Sequence, residues 1–171
     1  QPAEPGAPGR VGWHELLAKH AGKRLAATTD LRAAVSRTEL SLIAVGTPFD
    51  GSQIDLRLVE RAALELGAAL REKAGRHTVV VKSTVVPGTT DGVIRAALES
   101  ASGKRAGPDF GLGVNPEFLT EGEAVSDFME PDRIVIGAFD ERTRGALSRA
   151  RHEGSARCRA HLERQLLVEE G

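Results

Sequence analysis

Cysteine is nearly missing from this chain of 171 residues: Cys158 is the only one. An intramolecular disulfide and a cysteine-built metal cluster are thereby excluded, and no metal site is expected. Aromatic side chains are scarce too, with a single Trp and no Tyr. Neither sign of charge prevails. The formal net charge of −1 gives no reason to expect nucleic acid or a membrane surface as a partner. No apolar run approaches the length that crosses a bilayer. The opening Gln1-Pro2-Ala3-Glu4-Pro5-Gly6 has neither a basic stretch nor a hydrophobic core, so it does not read as a signal peptide. It also lacks an initiator Met, which suggests a trimmed or excerpted chain, and the cytoplasm is the default location.

What is present alternates between two kinds of segment. The length suits one domain. Helical patterns cover Trp13 to His20, a stretch opened by Thr29 or Asp30 and running through Val35, and a long stretch from Asp55 to about Lys73. In the long one Leu58, Ala62, Leu66 and Ala69 form one stripe. A further helix, capped by Thr89 or Thr90, runs through Leu98. Between them lie compact apolar runs: Leu40 to Gly46, Thr78 to Lys82, Phe110 to Val114 and Arg133 to Gly137, with Leu25 to Thr28 as a short candidate. The first two are apolar enough to be buried on both faces. Buried strands alternating with helices imply an α/β fold with a parallel sheet and helices on both faces. In such sheets ligands bind beyond the carboxyl ends of the strands. Three segments should then converge on one edge: Gly46-Thr47-Pro48, Ser83-Thr84-Val85-Val86-Pro87-Gly88 and Asn115-Pro116-Glu117. Strand-to-helix turns need such residues in any case, so the pattern by itself leaves structural and functional readings open.

The run Asn115-Pro116-Glu117-Phe118-Leu119-Thr120-Glu121-Gly122 sets two carboxylates four residues apart directly after a strand. One helical turn would place Glu117 and Glu121 on the same face. Such a pair suits proton transfer, or a split in which one acid does chemistry and the other holds a ligand hydroxyl. It equally suits a helix N-terminus, where acids meet the positive end of the macrodipole. The residues alone leave both open.

Four motifs in register carry a resemblance. V-G-T-P-F-D-G-S-Q-I-D-L (Val45 to Leu56) is followed by V-V-V-K-S-T-V-V-P-G-T-T (Val79 to Thr90). N-P-E-F-L-T-E-G-E-A-V (Asn115 to Val125) and P-D-R-I-V-I-G (Pro131 to Gly137) come next. In that order and spacing the chain resembles the UDP-glucose/GDP-mannose 6-dehydrogenase family over roughly residues 1–140, with Glu4-Pro5-Gly6 as a vestige of the family's E-x-G segment. The resemblance implies a partial Rossmann-type NAD-binding domain and a role in polysaccharide biosynthesis. Family enzymes use NAD to oxidise the C6 hydroxyl of a UDP- or GDP-linked sugar twice, through a cysteine thioester, and full-length relatives are homo-oligomers. By the match, Glu117 is the base that activates water on the thioester and Thr84 holds that water. Val45, Gly46, Thr47 and Ser83 line the cofactor groove, Glu121 contacts the cofactor, and Phe118 and Leu119 present backbone to the sugar or its phosphates. Lys82, at a strand end beside this cluster, has a structural or partner-charge role by default.

Other family features are missing from the sequence. No strand leads into G-x-G-x-x-G, the glycine loop that seats a pyrophosphate on a helix N-terminus. Gly111-Leu112-Gly113 comes nearest, but Pro116 stands where the third glycine belongs. The cysteine loop is absent, and Cys158 in R-C-R-A-H matches none of it. The chain therefore reads as the later part of such a domain, 1–140, without its first βαβ unit. An Arg-rich tail, 141–171, follows and reads as disordered or helical, with Leu162, Leu166 and Leu167 as a partner face if it is a linker helix. Two functions stand open: a piece of a nucleotide-sugar dehydrogenase that is inactive alone, and a non-catalytic relic that binds a nucleotide or a partner chain. The sugar is not specified; UDP-glucose, GDP-mannose and N-acetylhexosamine nucleotides all fit.

Overall fold

A computed structural model of the chain describes residues 13–49, 51–120, 124–130 and 133–152. Glu4 to Gly6, Glu121, Gly122, Cys158 and the leucines after residue 160 lie outside them. Clustering of the backbone gives two compact units, 1–29 with 118–132 and 30–117 with 133–171.

The first unit holds two short helices, α1 (Trp13–His20) and α5 (Ala124–Met129). α1 ends where Gly22 takes a φ of +72°, a left-handed conformation that a side chain disfavours. The short strand expected over Leu25 to Thr28 does not form; the segment folds back on α1 in a turn, with a lone bridge between Ala21 and Leu25.

The second unit carries the sheet. Its elements are α2 (Leu31–Arg37), β1 (Leu40–Ile43), α3 (Arg57–Arg71), β2 (Thr78–Val81), a π-helical turn (Thr90–Ile94) running into α4 (Arg95–Ser102), β3 (Gly111–Val114), β4 (Gly137–Ala138) and α6 (Glu141–His152). The strand order is β1-β2-β3-β4. β1, β2 and β3 are parallel, with Leu40 opposite Thr78 and Thr78 opposite Gly111. The three long apolar runs are thus neighbours, as expected. β4 differs: only Gly137, the last residue of the Arg133-to-Gly137 run, and Ala138 after it pair, and they run antiparallel to β3. Asn115 explains part of the shift, because its side chain occupies the Val135 carbonyl.

One face of the sheet holds the larger core. Ile43, Val79, Val81, Leu112 and Phe110 meet Val59, Ala63, Leu66 and Leu70 of α3 and Leu98 of α4. On α3, Leu66 and Ala69 of the expected stripe are buried and Ala62 is partly buried, but Leu58 is half exposed and Val59 and Ala63 are buried instead in the first turns. Gly67 lies at the close approach to α4. A Cβ there would lie 2.8 Å from the Ala101 Cβ and 2.9 Å from the Leu98 carbonyl, so α3 and α4 can touch this closely only at a glycine. The other face is covered by α6. Val80, Ile136 and Leu147 form its core, and the two glycines of β3 face the helix. A Cβ on Gly111 would lie 2.5 Å from the Thr143 hydroxyl, and one on Gly113 would lie 2.7 Å from Leu147. Gly111-Leu112-Gly113 is therefore a packing motif that seats α6. β2 is buried throughout, whereas β1 is not: Leu42 is 57% exposed at the outer strand, against the expectation of burial on both faces.

Candidate functional site at the carboxyl edge

Parallel pairing puts the carboxyl ends of β1, β2 and β3 side by side. Hydrogen bonds between the loops then tie these ends together. The Ser83 amide donates to the Ile43 carbonyl at 3.1 Å, and the Ser83 hydroxyl donates to the Val45 carbonyl at 2.7 Å. The Thr47 hydroxyl donates to the Thr84 carbonyl at 2.8 Å. The Asn115 amide donates to the Val81 carbonyl at 2.9 Å, which carries the β2–β3 ladder one residue past the strands. Gly46, Thr84 and Glu117 are exposed along this edge, while Ser83 and Asn115 are buried.

The loop after β1 is itself a small hairpin. Phe49 pairs with Ile54 antiparallel, the Asp55 amide donates to the Pro48 carbonyl at 2.8 Å, and Gly51 turns with a φ of +98°. Asp55 stands one residue before the N-cap of α3, Leu56, and accepts the Arg57 amide at 3.0 Å. The Arg57 guanidinium grips the same carboxylate at 2.6 Å. Those bonds pull Asp55 down to about 2. The acid of this loop is therefore spent on the start of a helix.

Of the nine residues singled out, Val45, Gly46, Thr47, Ser83, Thr84 and Glu117 fall in the second unit, at or just after the strand ends. Phe118 and Leu119 belong to the first unit and are exposed, and Glu121 lies outside the described residues. Residues 115–120 are irregular, so no helical turn runs from Glu117 to Thr120, and the alignment of Glu117 with Glu121 lies outside the described residues. The Asp127 carboxylate takes the Thr120 amide at 2.7 Å, diverting a donor that a helix would use. Asn115 had been quoted only as part of a motif. Its placement before a proline at a strand end was the available signal, since that position is held extended.

The sequence matches the UDP-glucose/GDP-mannose dehydrogenase family, NAD binding domain, over residues 11–152. The chain belongs to this family. Among curated relatives it is 49% identical over 121 residues to the GDP-mannose 6-dehydrogenase of Pseudomonas aeruginosa, a span of 70% of this chain and 28% of that protein. It is 48% identical over 132 residues to the UDP-glucose 6-dehydrogenase AglM of Haloferax volcanii, covering 77% of this chain and 30% of that one. Among solved structures, the ternary complex of GDP-mannose dehydrogenase from Pseudomonas aeruginosa superposes with a TM-score of 0.78 at 43% identity, over 86% of this chain and 34% of that chain. The UDP-glucose dehydrogenase from Pyrobaculum islandicum gives 0.67 at 44% identity, over 78% and 30%. The chain thus spans about three-tenths of the length of the curated relatives it matches. The family match continues past residue 140 into α6, whose Thr143 and Leu147 are buried. No helix among the described residues is long and apolar enough to cross a membrane, and no group of acids, histidines or cysteines among them could hold a metal ion.

The edge was tested for fit to NAD on its own geometry. A Cβ added at Gly46 would meet nothing within 4 Å, so the backbone there is open to a ligand. The hydroxyls of Ser83 and Thr47 donate to protein carbonyls and keep lone pairs to accept with. The surface suits a flat, uncharged part of a dinucleotide.

Proposed function

We propose that this chain supplies part of the cofactor groove and the hydrolytic base of an NAD-dependent nucleotide-sugar 6-dehydrogenase, which converts the C6 hydroxyl of a UDP- or GDP-linked sugar to a carboxylate. The observation that carries the reading is the placement of exposed Thr84 and Glu117 after adjacent parallel strands, on the edge where Gly46 leaves the backbone open. NAD, when bound, accepts the hydride lost from C6 at each oxidation. The residues of this chain act on the second stage. Glu117 takes a proton from water as the water oxygen attacks the acyl carbon of the thioester; the C–S bond breaks, the thiolate leaves, and a carboxylic acid is released. Thr84 orients that water through its hydroxyl. Val45, Gly46, Thr47 and Ser83 shape the groove for the cofactor, Glu121 contacts it, and the backbone at Phe118 and Leu119 faces the sugar nucleotide.

Alone, the 171-residue chain does not turn over in this reading, because its sequence carries neither the G-x-G-x-x-G loop nor the family's cysteine loop. That same absence favours a second reading, a module that binds a nucleotide without reacting. The test splices residues 30–152 into the Pseudomonas aeruginosa GDP-mannose 6-dehydrogenase in place of the segment they match. NADH should form in the chimera and not with the isolated chain. Glu117→Gln in the chimera should slow turnover by roughly a hundred-fold and let an acyl-enzyme accumulate, visible by intact mass. Unchanged turnover in that variant would sink the assignment of Glu117. Calorimetric NAD binding by the isolated chain, with an inactive chimera, would instead support the binding module.

A further inference from the structure

Asn115 is tied down at three polar groups. Its amide donates to the Val81 carbonyl at 2.9 Å, its Nδ2 donates to the Val135 carbonyl at 2.7 Å, and its carbonyl accepts the Lys82 ammonium at 3.2 Å. The residue is only 4% exposed. Pro116 follows, with φ fixed by its ring and with the residue before it held out of the helical region. The chain from β3 to Glu117 therefore has few soft torsions left. Glu117 itself is exposed and stands on this rigid stem. Lys82 is the unusual part of this arrangement. A half-buried ammonium costs desolvation that a neutral donor would not, and an aliphatic side chain could fill the same space. Among its interactions, the ammonium makes a bond from the end of β2 to the peptide two residues before Glu117, directly beside the Ser83-Thr84 turn.

We propose that Lys82 and Asn115 are positioning residues that fix the Glu117 carboxylate relative to the water held at Thr84. The Lys82–Asn115 tie locks the end of β2 to the end of β3, and the Asn115–Val135 bond stops the second strand end from swinging away. A base misplaced by a fraction of an ångström loses much of its rate, while a hydride transfer that does not use the base is spared. This inference rests on Glu117 being the hydrolytic base.

The first test uses the 171-residue chain. Lys82→Met should speed amide hydrogen exchange at Glu117 and Phe118 by about ten-fold, with exchange in β2 and α3 unchanged, and Lys82→Arg should restore slow exchange. Equal exchange in all three proteins would overturn the tie. The second test uses the chimera described above. Lys82→Met and Asn115→Asp should each cut steady-state turnover about ten-fold, leave the pre-steady-state burst of NADH within about two-fold, and accumulate acyl-enzyme. Lys82→Arg should recover most of the loss. A burst that falls in step with turnover, without acyl-enzyme, would reduce both residues to general scaffolding and overturn the proposal. Glu117→Gln, run in parallel, separates the two levels. Should it fail to accumulate acyl-enzyme, the reading of Glu117 is at fault and the positioning role falls with it. Should it accumulate acyl-enzyme while the Lys82 and Asn115 variants do not, only the positioning role is lost.

Discussion

At the amino edge of the sheet, polar groups are largely buried and matched to one another; at the carboxyl edge, the groups that could react are exposed on loops whose backbones are hydrogen-bonded. Arg76 and His77 precede β2 and define the amino edge. The Arg76 guanidinium pairs with Asp140 at 2.8 Å, reaches the Thr143 hydroxyl at 3.2 Å, and donates to the Gly107 carbonyl ahead of β3. His77 is 1% exposed and joins the Thr38 carbonyl to the Ser41 hydroxyl. Since a carbonyl only accepts, Nδ1 must carry the proton toward Thr38, and Nε2 accepts from Ser41. Across the sheet, Thr84 and Glu117 extend from loops whose carbonyls and amides are bound. The contrast indicates where this fold stores stability and where it can host chemistry: satisfied buried networks resist substitution, and an exposed carboxylate on a fixed backbone tolerates it.

The strongest way to break the amino edge is Arg76→Met. Asp140 accepts from the Thr143 amide and hydroxyl and so caps α6, and burial alone would push it up. The Thr143 bonds and the Arg76 charge outweigh that burial and hold its carboxyl below the ordinary carboxylate range. Without Arg76 the half-buried acid keeps its desolvation and loses its cation, and the Gly107 carbonyl loses a donor. The expected loss is about 2–3 kcal/mol in urea denaturation. A double variant with Asp140→Asn should recover part of it. If Arg76→Met is neutral, the network at this edge is ornamental and the comparison fails.

A milder probe is pH. Burial drives His77 down from its ordinary value, the Thr38 carbonyl pulls it back up, and the nearby Lys73 charge lowers it further, for a net fall. Above about pH 6.5 the imidazole is neutral in both the folded and unfolded chain, and its contribution is complete. Below that, the unfolded chain takes up a proton that the folded one resists, so stability drains as pH falls toward the depressed folded value. Asp140 acts in a separate window: its contribution is complete above about pH 3.9 and is lost as pH falls through its lower folded value. Urea midpoints measured from pH 8 to pH 5 should decline, and His77→Gln should flatten that decline while leaving the loss below pH 4 in place. A decline of equal slope in the variant would point to another group.

Much of the amino edge was hidden in the sequence, and most of the carboxyl edge was not. Val79 to Val81 read as a buried strand because β-branched residues fill both of its faces. Loop residues at parallel strand ends must meet on one edge once the alternation of strands and helices is recognised. His77 and Arg76 gave no signal, since their partners lie 31 to 67 residues away and a lone basic residue ahead of a strand usually faces solvent. Only the start of the α3 stripe was misplaced, with Val59 and Ala63 buried rather than Leu58, because the facing of a helix depends on contacts such as that of Gly67 with Ala101, between helices rather than within either. Leu42 shows the same limit, because its burial depends on what lies over β1 and not on its own hydrophobicity. α6 hid among arginines, where only Thr143 and Leu147, four residues apart, mark the buried face.

The smallest expected effect sharpens the comparison most. Glu117→Gln and Thr84→Ala each alter an exposed side chain whose backbone is held from elsewhere. Thr84→Ala leaves in place the carbonyl that accepts from Thr47, and Glu117→Gln leaves the Asn115 ties in place. Each should shift unfolding free energy by less than about 0.5 kcal/mol, with an unchanged denaturant slope. Thr47→Val, by contrast, removes the hydroxyl that spans the two loops and should cost about 1 kcal/mol. If Glu117→Gln lowered stability by as much as Thr47→Val does, the Glu117 carboxylate would belong to the scaffold. Its assignment as a base would then have to stand on kinetics alone. A neutral Glu117→Gln beside a costly Thr47→Val would instead show that the carboxyl edge gains its stability from hydrogen bonds to the loop backbones and that the Glu117 carboxylate adds little to the fold.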